Sequence, residues 1–372
     1  MVLFLLGSGL FFSQFYLLRS GLPQPAHFLI LLSFLWLVSS KGGIRIPAKM
    51  RRFSLGFAFF SAYTLIVNSI YTIHIGDPSF LLSSVYIFYG VMTFFLVWTY
   101  LLENKMAALK LAYFAFFGIL ILAAMGILGI GRYIFFPRYN AFFNDPNQMA
   151  FWSLCVLAII LFCKDIKTQL KLVAFLCTFV IITLSASRSG LLGLFTLIFG
   201  LIFQFIVRKG KNSGIKSLVS ICLLIIVFSF IGFMAINEYK ESVSFLFNRL
   251  NEVDFGEQSD IRGYGRILQY PEYTILGAGQ GADLRFSVTG LEIHSTWAGL
   301  LFYYGAPGIL LFLYIVYSIF VRLKFPEKFI FLGPLFYSFS TYGLRTPIFW
   351  IFLGIAAATA FSSYKATNLQ AK

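Results

Sequence analysis

Three arginines and one histidine lie in the polar stretches of an otherwise apolar sequence. Arg188 occurs in SASRSGLLGL, Arg262 and Arg266 in RGYGRILQYPEYTILGAGQG, and His294 in LEIHSTW. A guanidinium group matches the geometry of phosphate oxygens, and an imidazole can accept a proton near neutral pH. Together these side chains have the chemistry to bind a phosphorylated group and to activate a hydroxyl.

Arg188 also has an ordinary structural interpretation. A charge at a helix end can extend along the apolar surface and place its head group in water. Small residues surround this arginine, however, so an anion can approach it closely. Ser187 and Ser189 can cap the helix that follows, and a helix N-terminus favours negative charge. We therefore expect Arg188 to bind phosphate.

The other candidate residues also have ordinary structural interpretations. Asn147, in NDPNQMA, belongs to a turn that an Asn or Asp caps, and capping is the commoner role; substrate binding is the alternative. Arg262 and Arg266 are four residues apart and share a face only if this stretch is helical. A lone histidine such as His294 is more often structural, and it is the company of these arginines that favours a catalytic base.

Other chemistries lack their signatures in this sequence. There is no His/Cys/Asp cluster at zinc spacing, no GxSxG elbow and no Walker loop. The run Gly277, Gly279, Gly281 is not a GxGxxG motif, so nucleotide binding is weakly indicated. A paired-carboxylate hydrolase stays open, because acids are numerous but no spacing selects a pair. We expect the cysteines to be buried thiols rather than disulfides or metal ligands; they are Cys155, Cys163, Cys177 and Cys222.

The composition is that of a polytopic membrane protein. Charged residues make up 12% of the chain and hydrophobic residues 59%, whereas a soluble domain has about 25% charged residues. The net charge is +15. Because the basic residues form short clusters between apolar segments, they indicate cytoplasmic loops rather than a surface for nucleic acid. We expect a lipid bilayer around the chain and no nucleic-acid partner.

Apolar segments of about 20 residues, or somewhat fewer, recur along the whole chain. They predict an all-α fold with about 12 transmembrane helices in one membrane-embedded domain, residues 1–372. We interpret the first segment as a helix rather than a cleaved signal peptide. The segments are 2–18, 26–40, 53–73, 80–101, 107–130, 147–163, 169–185, 188–207, 216–236, 297–320, 328–344 and 346–363.

Basic residues are concentrated in alternate loops, which predicts that these loops and both termini are cytoplasmic. The intervening loops then face outward, and the largest of them is residues 237–296. This loop contains nine of the chain's fourteen Asp and Glu and five of its basic residues. We interpret most of its acids as a solvated surface and its second half, Arg262 to His294, as the working part near Arg188.

Four motifs, in this order, resemble those of the O-antigen ligase/polymerase family of bacterial cell-envelope enzymes. DPNQMA is similar to the family's PN turn at the start of a middle helix, and SASRSGLLGL to its short SR(S/G) outward loop. The long outward loop follows, in which Arg266 and Gly277 have the R-x10-G spacing of the polymerases. His294 then precedes the glycine pair of YYGAPG. The resemblance covers roughly residues 140–311 and depends on the order and spacing of these motifs.

The resemblance implies a metal-independent glycosyltransferase of the GT-C type, a multi-pass protein of the bacterial inner membrane with its active site on the periplasmic face. The donor would be a glycan on undecaprenyl pyrophosphate. Arg188, Arg262, Arg266 and Asn147 would bind substrate, and His294, Arg266 and Arg188 would be catalytic. No cofactor is implied. Chain-length regulators and flippases of the same pathway are the expected protein partners.

The family contains two activities, and two other classes of protein compete with both. A polymerase transfers the glycan to a sugar hydroxyl of another lipid-linked repeat unit, whereas a ligase transfers it to the lipid A core. A lipid-linked oligosaccharide flippase or other transporter would carry charges within its spans or have paired broken helices. A scaffold protein would need no clustering of Arg188, Arg266 and His294. We expect an O-antigen/polysaccharide polymerase, with the ligase as the alternative.

Overall fold

A computed structural model describes residues 1–18, 22–44, 46–207, 262–286 and 290–370, and isolated residues between 241 and 248. The described residues are all-helical and contain no strand, which confirms the predicted all-α class. The helices are α1 (Val2–Phe12), α2 (Pro25–Lys41), α3 (Arg51–Ile75), α4 (Ser79–Glu103), α5 (Lys105–Ile127), α6 (Pro146–Phe162), α7 (Thr168–Ser185), α8 (Arg188–Val207), α9 (Gly265–Gln269), α10 (Tyr273–Leu276), α11 (Thr296–Phe320), α12 (Phe325–Tyr337) and α13 (Pro347–Gln370).

Every predicted apolar segment that falls within the described residues corresponds to one of these helices. The segment 216–236 and most of 237–261 lie outside the described residues. Within the described part of the chain, five helices are long and apolar enough to cross a membrane, namely α3, α4, α5, α7 and α11. Shorter apolar helices are α1, α2, α6 and parts of α8 and α13, Arg188–Ile202 and Pro347–Ser362. These helices fit a membrane protein, and the count of about twelve spans stays a prediction.

Two helix ends within the described residues fall well short of the sequence-based expectation, and one is that of the first segment, 2–18, whose helix ends at Phe12. The segment predicted to run from 328 to 344 ends as a helix at Tyr337, and a 3₁₀ turn, Gly343–Arg345, precedes α13. The carbonyls of the intervening residues bond to other elements instead: those of Ser338 and Thr341 accept from the Thr296 N–H. Because these long-range partners satisfy the backbone, the chain can leave the helix earlier than its apolar sequence suggests.

The chain forms two compact units, each assembled from three separate stretches. The first contains Met1–Ser33, Lys105–Val253 and Lys324–Tyr337. The second contains Phe34–Asn104, Asp254–Leu323 and Ser338–Lys372. The prediction of a single domain, residues 1–372, stays a prediction.

Helix α6 is the centre of the first unit. It packs against α5, α7, α8 and α12, and every residue from Met149 to Phe162 is buried. A helix that is apolar on all sides is expected to be enclosed by other helices or by lipid. Small residues permit a close approach nearby, since Gly193 of α8 lies against Leu154 and the Gly333 backbone. Cys155 and Cys163 are buried free thiols, as expected, whereas Cys177 is free but partly exposed, and Cys222 lies outside the described residues.

The second unit is built on α3, α4, α11 and α13. Its interior is rich in aromatic residues. The Trp350 indole of α13 lies directly against Gly90 of α4 and donates to the carbonyl of Leu344 at 2.7 Å. A buried indole N–H usually requires such an acceptor. The close contact therefore depends on the absence of a side chain at position 90.

Helix α11 is broken at Gly305, which has φ 61°. Pro307 follows two residues later and has no N–H, so the carbonyl of Tyr303, four residues before it, loses its helical donor. The Gly279 N–H of the preceding loop donates to that carbonyl at 2.9 Å. The glycine run of the loop thus completes the hydrogen bonding of a broken membrane helix, which gives these glycines a structural role in place of nucleotide binding.

The same contact explains the glycine at position 277. Its φ is 98°, and an added Cβ would come within 2.6 Å of the Tyr304 Cα and closer still to the Tyr303 carbonyl oxygen. The next residue, Ala278, donates its N–H to the carbonyl of Phe302 at 2.9 Å. Only a residue without a side chain allows the two backbones to approach this closely.

We expect Gly277→Ala to lower the free energy of unfolding by about 2 kcal/mol or more, because both sterics and φ oppose the new side chain. Thermal unfolding of the purified protein in detergent measures this loss. Gly76→Ala is the matched control, since Gly76 has φ 78° in the same unit but no atom within 4 Å of an added Cβ. Its expected cost is about 1 kcal/mol. Equal losses for both variants would contradict the docking of the glycine run.

Candidate functional site

In the first unit, Asp145 caps α6. Its carboxylate accepts from the Asn147 N–H at 2.6 Å, and Pro146 occupies the first helical position. This confirms the expected Asn/Asp cap and identifies Asp145 as the residue that provides it. Proline is favoured at this position because its missing N–H is not needed there. The Asn147 side chain is therefore available for other contacts.

Asn147 joins two loops that are distant in sequence. Its Oδ1 accepts from Arg138 Nη2 at 2.9 Å and from Ser187 Oγ at 3.3 Å. Arg138 Nε also donates to the carbonyl of Ser185 at 2.9 Å. Tyr337 OH lies 2.9 Å from Ser187 Oγ and donates to the Asn147 carbonyl at 2.8 Å. These hydrogen bonds hold the DPNQMA turn and the SASRSG turn together, and we call this group the Asn147 cluster.

Arg188 is the first residue of α8 and follows directly after the Asn147 cluster. Ser187 is the cap, because its Oγ accepts from the Gly190 N–H at 3.3 Å, as the sequence predicts. The Arg188 side chain is partly exposed. The N-terminus of α6 lies in the same cluster, and each helix N-terminus carries a partial positive charge. The N-terminus of α6 already has the Asp145 carboxylate, so Arg188 and the N-terminus of α8 are the features here that favour an anion.

In the second unit, Arg262 and His294 are neighbours. The His294 N–H donates to the Arg262 carbonyl at 3.1 Å, and Arg262 Nη1 donates to the Ser340 carbonyl at 3.1 Å. Ser295 caps α11 as predicted, since its Oγ accepts from the Ala298 N–H at 3.2 Å. The His294 imidazole is exposed and makes no hydrogen bond to any residue that the structure describes. Within the described structure, the imidazole is thus accessible to solvent.

Arg262 and Arg266 do not share a helix face. Helix α9 begins at Gly265, so it includes Arg266 alone, and Arg262 lies in the turn before it. Gly263, with φ 72°, makes that turn. The condition for a shared face is therefore not met, and the two guanidinium groups have different surroundings.

Arg266 is buried, with only 5% of its surface exposed. Its Nη1 is 3.0 Å from Asp283 Oδ1, and its Nη2 donates to the Leu291 carbonyl. Asp283 also accepts from the Tyr303 hydroxyl of α11 at 2.8 Å. Burial raises the pKa of Asp283 to about 6, opposed by the Tyr303 hydrogen bond and by the charge of Arg266. Arg266 therefore links separate parts of the loop, and Asp283 links this pair to α11.

We expect Arg266→Ala to lower the free energy of unfolding by about 3 kcal/mol at pH 8, because Asp283 would be left buried and unpaired. The loss should shrink at pH 5. Asp283 already has a raised pKa, so without Arg266 it is protonated there and no buried charge remains. Thermal unfolding at the two pH values measures the difference. Arg266→Ala with Asp283→Asn should recover stability at pH 8, and an equal loss with and without Asp283→Asn would contradict this pairing.

Besides the Arg262/His294 and Arg266/Asp283 groups, the second unit contains a polar cluster that no pattern in the sequence predicts. Asn68, in the middle of α3, donates to Ser84 Oγ at 2.9 Å and accepts from the Gln280 N–H at 2.9 Å. Gln280 Oε1 accepts from the hydroxyls of Tyr304 and Tyr342, at 3.0 and 2.8 Å. The turn residue Arg345 pairs with Glu292 at 2.5 Å and donates to Ser83 Oγ at 3.2 Å. Only the fold brings these residues together.

Arg285, the remaining described arginine of the long loop, has a structural role. Its Nη2 donates to the carbonyls of Ala278, Gly279 and Gly281 at 2.9, 3.2 and 3.1 Å. The guanidinium carbon lies 4.7 Å from the centre of the Phe80 ring. An arginine is suited to this position because its planar group can stack and donate several hydrogen bonds at once. It holds the glycine run in its folded shape.

The five residues predicted for the site are divided between the units. Arg188 and Asn147 belong to the first unit and are adjacent through Ser187; Arg262, Arg266 and His294 belong to the second. Sequence reasoning did not single out Arg138, Tyr337, Gln280 or Arg345. Of these, only Arg138 had a usable signal, since it lies nine residues before Asn147 in a polar turn. No protein-family model matches the chain, and no curated protein matches its sequence.

Proposed function

We propose that this protein is a polysaccharide polymerase, a membrane glycosyltransferase that extends lipid-linked glycans outside the cytoplasm. It would transfer a glycan from undecaprenyl pyrophosphate to the sugar hydroxyl of another lipid-linked repeat unit. The observation that carries the proposal is the Asn147 cluster. In it, the two motifs that resemble those of the O-antigen ligase/polymerase family are hydrogen-bonded to one another beside Arg188.

The charge of the leaving group explains the role that we propose for the arginines. As the bond between the anomeric carbon and the pyrophosphate oxygen breaks, negative charge grows on that oxygen, and positioned guanidinium groups stabilise it. Arg188, at the N-terminus of α8, is our first ligand for the pyrophosphate. In the second unit, considered by itself, Arg262 is the better candidate for binding substrate, because its guanidinium is partly exposed, whereas that of Arg266 is buried and paired.

The acceptor hydroxyl must lose a proton, which explains the role that we propose for His294. The acceptor oxygen forms a bond to the anomeric carbon and releases its proton, and His294 would take that proton. Its exposed imidazole and its position at the start of α11 support this role. Undecaprenyl pyrophosphate leaves with the bonding electron pair, so atoms and charge balance without a further reactant.

The described spans also favour an enzyme over a flippase. The apolar helices long enough to cross a membrane carry very few ionisable residues, and the arginines discussed above lie at helix ends or in loops. A transporter usually places charged residues along its path through the membrane. The kink of α11 is the feature most like a transporter, and its freed carbonyl has a donor in the glycine run.

The polysaccharide of a deletion strain tests the activity. If the protein is a polymerase, the strain should make single repeat units capped on the lipid A core and no long chains. If long polymer instead accumulates on undecaprenyl pyrophosphate, the protein is a ligase and the acceptor proposed above is wrong. An unchanged polysaccharide profile would show that the protein has neither activity.

A further inference from the structure

A buried amide in the second unit lacks an acceptor. Gln280 is 1% exposed, and its Nε2 has no hydrogen-bond partner among the described residues. Its Oε1 accepts from the hydroxyls of Tyr304 and Tyr342, and its main-chain N–H donates to Asn68 Oδ1. A buried donor without an acceptor is costly, so an external acceptor is expected to reach it.

A second donor in the same condition belongs to Arg345. Two of its nitrogens are engaged by Glu292, at 2.6 and 2.5 Å, and Nη2 also donates to Ser83 Oγ. The third nitrogen, Nε, is buried and has no partner in the described part of the chain. The side chain as a whole is nevertheless 34% exposed, and that of Glu292 is 28% exposed. A polar ligand can therefore approach this ion pair from solvent.

Tyr342 connects the two donors. Its hydroxyl bonds to Gln280, and its ring centre lies 6.0 Å from the guanidinium carbon of Arg345. The ring of Tyr86 lies 5.9 Å from the same carbon. Amide and guanidinium N–H groups, a carboxylate and aromatic faces thus occur in one cluster. Hydroxyl groups both donate and accept, so this set of partners suits them well.

We propose that Gln280, Arg345, Glu292 and Tyr342 form a subsite for a hydroxyl-rich sugar residue. The ion pair is neutral overall, so the subsite favours sugar hydroxyls over a phosphate. That this sugar belongs to the acceptor glycan rests on the proposed function, whereas sugar binding itself does not. The amide and guanidinium N–H groups donate to hydroxyl oxygens, and the Glu292 carboxylate accepts from a hydroxyl.

Binding of a free oligosaccharide tests the subsite. The probe is the repeat-unit oligosaccharide released by mild acid from the host strain's own polysaccharide, which carries neither lipid nor pyrophosphate. It is titrated into the full-length protein in detergent, and the Kd is measured by calorimetry. Gln280→Glu keeps Oε1 and replaces the donating NH₂ by an oxygen, so we expect the Kd to rise about tenfold or more. Arg345→Lys, which removes Nε but keeps the charge, should act similarly.

The matched control is Gln14→Glu, the same change at a glutamine that is also 1% exposed but belongs to the first unit. It should leave the Kd unchanged, and thermal unfolding shows whether each variant is folded. If Gln280→Glu does not fold, the Kd of Arg345→Lys tests the subsite instead. Absence of saturable binding to the wild type, or binding to both variants with the wild-type Kd, would overturn the subsite. Oligosaccharide binding by a protein without transferase activity would support the subsite and count against the proposed function alone.

Discussion

Replacing His294 by alanine is expected to slow glycan transfer by about 100-fold to 10,000-fold, the usual contribution of a general base. Stability should change little. The imidazole is exposed, and the one hydrogen bond given by this residue within the described structure comes from its main-chain N–H. Transfer is measured with purified protein and lipid-linked repeat units, and stability by thermal unfolding.

His74→Ala is the matched control for this prediction. His74 is exposed in the same unit, near the end of α3, and has no role in the proposed reaction. Its replacement should leave transfer at the wild-type rate. The proposed base is wrong if His294→Ala retains that rate.

The second large effect is expected at Arg188. Removing one group that stabilises developing charge typically costs about 100-fold to 1,000-fold in rate. Arg188→Ala should therefore nearly abolish transfer. The fold should be retained, because Ser187, Asn147 and Tyr337 hold the adjoining turn through their own hydrogen bonds.

Arg188→Lys separates charge from geometry. Lysine keeps the charge but not the planar pair of donors, so we expect it to restore only a small part of the rate. Arg132→Ala is the control, since Arg132 is an exposed arginine of the same unit with no proposed role. Full activity of Arg188→Lys would show that charge alone is needed, and full activity of Arg188→Ala would contradict phosphate binding by this residue.

The longer apolar helices could be predicted because each follows from a local apolar run in the sequence. Apolar runs match α3, α4 and α11 within a few residues, and the caps at Asp145 and Ser295 follow from residue type beside such a run. The early end of α12 could not be predicted, since the carbonyls of Ser338 and Thr341, just after the helix, accept from Thr296, far away in the chain.

The surroundings of the site residues could not be predicted from the sequence for a related reason. Arg262 and Arg266 look equivalent in RGYGR, yet one is partly exposed and the other is buried against Asp283, seventeen residues on. Asn68 and Gln280 have ordinary sequence neighbours, and their hydrogen bonds span 212 positions. Which polar residues meet is decided by tertiary packing, and no local pattern carries that information.

The most direct test of the central claim uses purified protein in liposomes that contain a single defined undecaprenyl-pyrophosphate-linked repeat unit. A polymerase should build a ladder of longer glycans and release one undecaprenyl pyrophosphate for each new glycosidic bond. Arg188→Ala and His294→Ala should yield neither product while remaining folded. If the wild-type protein forms no ladder and releases no undecaprenyl pyrophosphate from this substrate, the claim that it is a polysaccharide polymerase is wrong.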